Sequence, residues 1–133
     1  MAASTHIFFN AEKSLAAVAD ELGALLILSF RFIDGEFKKY QAEGGMLVLQ
    51  LQEEHGFEND KDIPFEHFRY WLSIDCLYRL NIHPYNEHMR QSAARLAYHL
   101  ILGHLGYPAM LVEDLQQLVE INETPVKPVK PEF

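Results

Sequence analysis

The chain is poor in cysteine, lacks long hydrophobic runs and carries few cations. Cys76 is its only cysteine. No intrachain disulfide can form, which excludes a stapled secreted scaffold and suits a reducing, cytoplasmic setting. No uninterrupted apolar run exceeds five residues, as at Ala24-Leu25-Leu26-Ile27-Leu28. That is far short of the ~20 residues a membrane-crossing helix needs. The start, Met1-Ala2-Ala3-Ser4-Thr5-His6, has no basic stretch leading into an apolar one, so no signal peptide is expected. Lysine and arginine total 11 against 19 acidic residues, a net charge of -8. Such a chain repels phosphate backbones and is drawn to basic surfaces. Nucleic acid and membrane are therefore not expected partners.

Signatures of catalysis are also missing. There is no G-x-S-x-G elbow, and Gly44-Gly45 is not followed by the residues of a phosphate loop. Ser14, Ser29, Ser73 and Ser92 have no motif around them. Cys76, between Asp75 and Leu77, reads as a buried or half-buried thiol at a strand end. Seven histidines raise the question of a metal. His88 and His99 share a helix face but lie ~16 Å apart along it, and His99 and His104 are ~140° apart around it. No metal and no cofactor is expected, and the chain is read as a non-enzyme.

What is present is the composition of one folded domain: 133 residues, 49% hydrophobic and 12% aromatic. His6 to Phe9 reads as a strand. Leu15, Val18, Ala19 and Leu22 fall on one helical face, predicting a helix from Ser14 to Leu22 closed by Gly23. Leu26 to Ile33 and Glu36 to Ala42 read as strands joined by Asp34-Gly35 in a type I′ turn. Met46 to Gln52 alternates, with Leu47, Leu49 and Leu51 on one face. Phe68, Tyr70, Leu72 and Ile74 alternate with Arg69, Trp71, Ser73 and Asp75. Asn81 to Tyr85 reads as a loop and Asn86 as the N-cap of a long helix, its stripe being Met89, Ala93, Leu96, Ala97 and Leu100. Ala109 to Val112 is a last strand, with Asp114 to Ile121 either continuing it or turning helical. The expected fold is α+β, a mostly antiparallel sheet with one long and one short helix packed on it. It forms a single domain over 1–123, followed by a Pro-rich flexible tail over 124–133.

The most unusual segment joins the two alternating strands. Glu53, Glu54, Glu58, Asp60, Asp62 and Glu66 stand there against Lys61 alone. A calcium loop fails on position: Ile63 stands where the turn glycine belongs and Arg69 where the bidentate glutamate belongs. Two readings remain, a solvated hairpin loop and a surface that receives a basic partner. Trp71 is either core or an exposed anchor beside Arg69. Glu113, Asp114, Glu120 and Glu123 form a reserve acidic patch. A rival reading makes the 53–67 loop a metal or enzyme site of His55, Asp60, Asp62 and His67.

The stretch from Gly44 to Asp75, GGMLVLQLQEEHGFENDKDIPFEHFRYWLSID, resembles small immunity proteins of bacterial polymorphic-toxin and contact-dependent growth inhibition systems. The stretch from Arg95 to Gln117, ending GHLGYPAMLVEDLQQ, has a similar character. The resemblance implies a cytoplasmic antitoxin that binds and neutralises a cognate toxin C-terminal domain, often a nuclease with a basic cleft. The expected contact residues are Glu53, Glu54, Glu58, Asp60, Asp62 and Glu66, with Trp71 as the anchor. The oligomeric state is left open.

Overall fold

The computed structural model describes residues 4–44, 47–60, 62–76 and 85–123. The expected 81–85 loop lies largely outside them, and the 124–133 tail wholly so. The α+β architecture is as expected. Among the described residues, seven strands form one antiparallel sheet: β1 (Thr5–Phe9), β2 (Arg31–Ile33), β3 (Lys39–Gly44), β4 (Leu47–Glu53), β5 (Tyr70–Cys76), β6 (Ala109–Glu113) and β7 (Gln117–Asn122). Their order is β2-β3-β4-β5-β1-β6-β7. Helices α1 (Leu15–Leu26) and α2 (Tyr85–Gly103) pack on one face. No helix among the described residues is long and apolar enough to cross a membrane.

Period-two alternation puts one hydrophobic set of each strand under the helices. Ile7, Phe9, Leu47, Leu49, Leu51, Tyr70, Leu72, Ile74, Ala109 and Leu111 join Val18, Leu22, Ala94, Ala97, Tyr98 and Ile101 in one core. Residues of opposite parity form a second, aromatic core on the other face. There Phe8, Met110 and Val112 meet Ile63, Phe65 and Phe68 from the β4–β5 connection, with Phe57 and Trp71 half-buried beside them. The acidic connection is therefore a lid, closed over the sheet by its own apolar residues. Phe68, expected in line with Tyr70, turns to this second core instead.

Several elements depart from expectation. Helix α1 runs through Gly23 to a cap at Ile27, which takes the left-handed conformation at φ 57°. The Gly23 carbonyl accepts N–H groups from both Ile27 and Leu28, the latter at 3.0 Å. A Cβ on Gly23 would meet the Leu28 carbonyl oxygen at 2.8 Å. Glycine is there for close approach, one turn before the helix ends. Ser14 caps the start, accepting the Ala17 N–H at 3.2 Å. Leu26 belongs to α1, which leaves only Arg31–Ile33 as strand. Ile33 pairs with Lys39, so five residues connect β2 to β3. Neither Asp34 nor Gly35 has positive φ, which rules out the type I′ turn.

Helix α2 already includes Tyr85, so Asn86 lies inside its first turn and is not the cap. Its buried stripe is Arg90, Ala94, Ala97, Tyr98 and Ile101, while Leu96 is exposed. The segment after β6 resolves into a turn at 114–116 followed by β7, paired with β6 across a bulge at Leu111/Val112.

Candidate partner-binding surface

The acidic lid is anchored at both feet and along its length. At its feet, the Asn10 side chain donates to the His67 carbonyl at 2.7 Å and accepts the Arg69 N–H at 2.8 Å. The Glu54 N–H bonds the Arg69 carbonyl at 3.1 Å. In the middle, Asp60 and Ile63 exchange both backbone hydrogen bonds, at 2.8 and 3.1 Å, and so close a tight turn. Asn59 and Glu66 tie it from outside, each side chain accepting the other's N–H, at 3.2 and 2.9 Å. From inside, His55 accepts the Phe57 N–H on Nδ1 at 2.9 Å and donates from Nε2 to the Phe68 carbonyl at 2.7 Å. Phe57 stands edge-on to Trp71, ring centres 5.0 Å apart.

The expected contact residues divide by what they already hold. Glu53 pairs with Arg69, and Glu66 is spent on Asn59. Glu54, Glu58, Asp60 and Asp62 are exposed, and among the described residues no cation pairs with their side chains. Trp71 is half-buried under Phe57, and its indole N–H donates to His6 Nδ1 at 2.8 Å. The reserve patch is engaged throughout. Glu113 holds Arg90 at 2.6 Å, and Asp114 accepts the Ser4 N–H at 2.8 Å. Glu120 lies 3.7 Å from both Arg95 and His99, and Glu123 is 2.5 Å from His67.

The four residues of the metal or enzyme reading do not converge. His55 points into the lid, His67 pairs with Glu123, and Asp60 and Asp62 face solvent. Among the described residues no three His, Cys, Asp or Glu side chains are grouped to hold an ion. Ser4 Oγ lies 2.6 Å from His6 Nε2, the spacing of a nucleophile and its base. The tautomer is wrong for that chemistry. An indole N–H can only donate, so His6 Nδ1 is bare and Nε2 carries the hydrogen it gives to Ser4. His6 titrates at about 4: burial lowers it, Asp114 opposes the shift and Arg90 adds to it. Burial pushes the Cys76 thiol up, away from the nucleophilic thiolate, although Arg90 opposes this. An open hollow of about 710 Å³ lined by Asn10, Glu12, Lys13, Arg69 and Tyr107 has both its cations paired, Lys13 with Glu21 and Arg69 with Glu53.

Sequence reasoning missed the buried polar cluster at the opposite end of β1. Arg90, 3% exposed, donates to Thr5 Oγ1 at 3.0 Å and to Glu113 at 2.6 Å, and Thr5 donates to Glu113 at 2.8 Å. A signal existed: Arg90, Ala94, Ala97 and Ile101 are spaced 4, 3 and 4, so the arginine continues an apolar stripe. Neither a family model, nor a curated protein, nor a solved structure matches the chain.

Proposed function

We propose that this protein is a stoichiometric inhibitor, a cytoplasmic immunity protein that blocks the basic surface of a cognate toxin domain and performs no reaction of its own. One observation carries the reading. Of the ten carboxylates in the two acidic patches, six are committed to holding the fold, whereas Glu54, Glu58, Asp60 and Asp62 stand on a braced lid with no ion-pair partner among the described residues. Charges without internal partners lose no ion pair when a cation arrives, and the hydrogen-bonded backbone that carries them has little freedom left to lose on binding. Their sign steers a basic partner into encounter. The resemblance of the Gly44–Asp75 stretch to immunity proteins supplies the kind of partner.

The test is co-purification with the C-terminal toxin domain encoded beside this gene, made as an inactive variant. A 1:1, salt-sensitive complex is expected. Changing Glu54 and Glu58 to Gln and Asp60 and Asp62 to Asn together should slow association at least ~10-fold at low salt. No binding at low salt, or a complex indifferent to those four changes, refutes the reading.

A further inference from the structure

The second face of the sheet carries an aromatic surface that the lid covers, and two histidines hold that cover in place. His55 is part of the lid. His6 lies on β1, bonded to the indole on which the lid's Phe57 packs. Both rings are locked in the same neutral form by groups that can only donate. At His55 the donor is the Phe57 backbone N–H, and at His6 it is the Trp71 indole N–H. In each case Nδ1 must be bare and Nε2 carries the hydrogen. A second proton on either ring would set N–H against N–H at 2.8–2.9 Å and add a charge to a site built for none.

We propose that the segment formed by residues 54–60 and 62–69 is an acid-released lid: protonation of His55 and His6 breaks the bonds that seat Phe57 and Trp71 and uncovers the face formed by Phe8, Met110 and Val112. The charged surroundings of His6 do not rescue its cation. Around His6, Ser4 and Trp71 bond the ring, Asp114 from the β6–β7 turn favours a proton and Arg90 from α2 disfavours it. Around His55, Phe8 on β1 presents its ring, while Glu53, Glu54, Glu58, Glu66, His67 and Arg69 are the charged or titratable residues on the flanking segments. Glu53 and Arg69 neutralise each other. Neither ring has a carboxylate within ion-pair distance among the described residues. Both histidine rings lie against Phe8, on the face away from the helices, so release leaves α1 and α2 seated. The two histidines that carry this inference are not among the partner-binding carboxylates on the same lid, so it survives the failure of that reading.

Trp71 is the only tryptophan and reports the lid directly. The experiment titrates the full chain from pH 7.5 to 3.5, following Trp71 emission, far-UV circular dichroism and NMR exchange of the Phe57 amide. Emission and exchange should change at a pH where helicity is intact. The opening constant should grow up to ~10-fold per pH unit for each histidine that charges. The double variant His6→Gln/His55→Gln should move that midpoint at least a full unit more acid. Emission and helicity changing together at one midpoint overturns the proposal, as does a double variant with the parent's midpoint. If the double variant does not fold, ring ¹⁵N shifts of the parent decide. Titration of His6 and His55 in step with Phe57 exchange supports release, and titration out of step overturns it.

Discussion

Replacing Gly23 with alanine sets two effects of known sign against each other. In an ordinary helix interior the change favours folding by ~1 kcal/mol, because glycine is the poorer helix former. Here the new Cβ would lie 2.8 Å from the Leu28 backbone oxygen, with Phe30 at 3.8 Å behind it. A backbone carbonyl cannot rotate away as a side-chain tip can. The chain after Ile27 has to move outward by about half an ångström to reach an ordinary contact. That movement stretches the two hydrogen bonds closing α1, from the Ile27 and Leu28 N–H groups to the Gly23 carbonyl. Each has a net worth of ~1 kcal/mol. Losing them outweighs the propensity gain, so Gly23→Ala should destabilise by about 1 kcal/mol and lower Tm by about 4 °C. Ile27→Gly is the control of opposite sign. Ile27 is 89% exposed and β-branched at φ 57°, so it contributes strain without packing. Glycine relieves ~1–2 kcal/mol of that strain and returns part of it as unfolded-chain entropy, a net stabilisation of roughly 0.5 kcal/mol. Urea unfolding of both variants measures the pair. A stabilised Gly23→Ala protein would show that the helix tolerates a side chain there and would refute the close-approach argument.

Arg90→Met should cost ~3 kcal/mol by urea unfolding, because it strands the Glu113 carboxylate beside Thr5. Adding Glu113→Gln should recover part of that loss, and strict additivity of the two changes would contradict a shared cluster. His6 is held neutral in the fold, at about 4, by its burial. Its contribution is complete above the ordinary histidine value of ~6.5 and falls as the unfolded chain takes up a proton below that. Roughly 3 kcal/mol is lost by pH 4. His6→Gln should flatten the slope of stability against pH over that window, and an unchanged slope would sink the claim. Neutralising Glu54, Glu58, Asp60 and Asp62 together should leave Tm within ~2 °C of the parent in a thermal melt, since none of the four has a cation partner among the described residues.

The sheet and its helix-side core were legible because one physical rule governs both. Leu47, Leu49 and Leu51 alternate with Val48, Gln50 and Gln52, and Leu15, Val18, Ala19 and Leu22 recur at helical spacing. Burial of one face imposes these patterns. The lid was not legible for the complementary reason. Its core residues, Phe57, Ile63, Phe65 and Phe68, follow no fixed period, because an irregular segment turns each residue towards the sheet separately. Counting charges between Glu53 and Glu66 therefore gives a solvated loop or a surface for a basic partner, and neither reading shows that three of those four apolar residues are buried. Arg90 escaped notice because a charged residue on a buried stripe looks like an interruption of it. Its partners Thr5 and Glu113 are 85 and 23 residues away in sequence, and only β1–β6 pairing brings them together.

The position of the acidic residues separates stability from binding in a way that overall charge cannot. A net charge of -8 would repel itself if its carboxylates were interchangeable. They are not. Glu53, Glu66, Glu113 and Asp114 tie strand ends, lid and turns together through Arg69, Asn59, Arg90 and Ser4. The side chains of Glu54, Glu58, Asp60 and Asp62 tie nothing among the described residues, yet three of these residues sit where the backbone is held: Glu54 at φ 58°, Asp60 and Asp62 on a turn closed by two backbone hydrogen bonds. The apolar residues under the lid, each worth ~2 kcal/mol when fully buried, hold that backbone. Substitutions in the first group should therefore act on folding, and substitutions in the second only on what the protein binds.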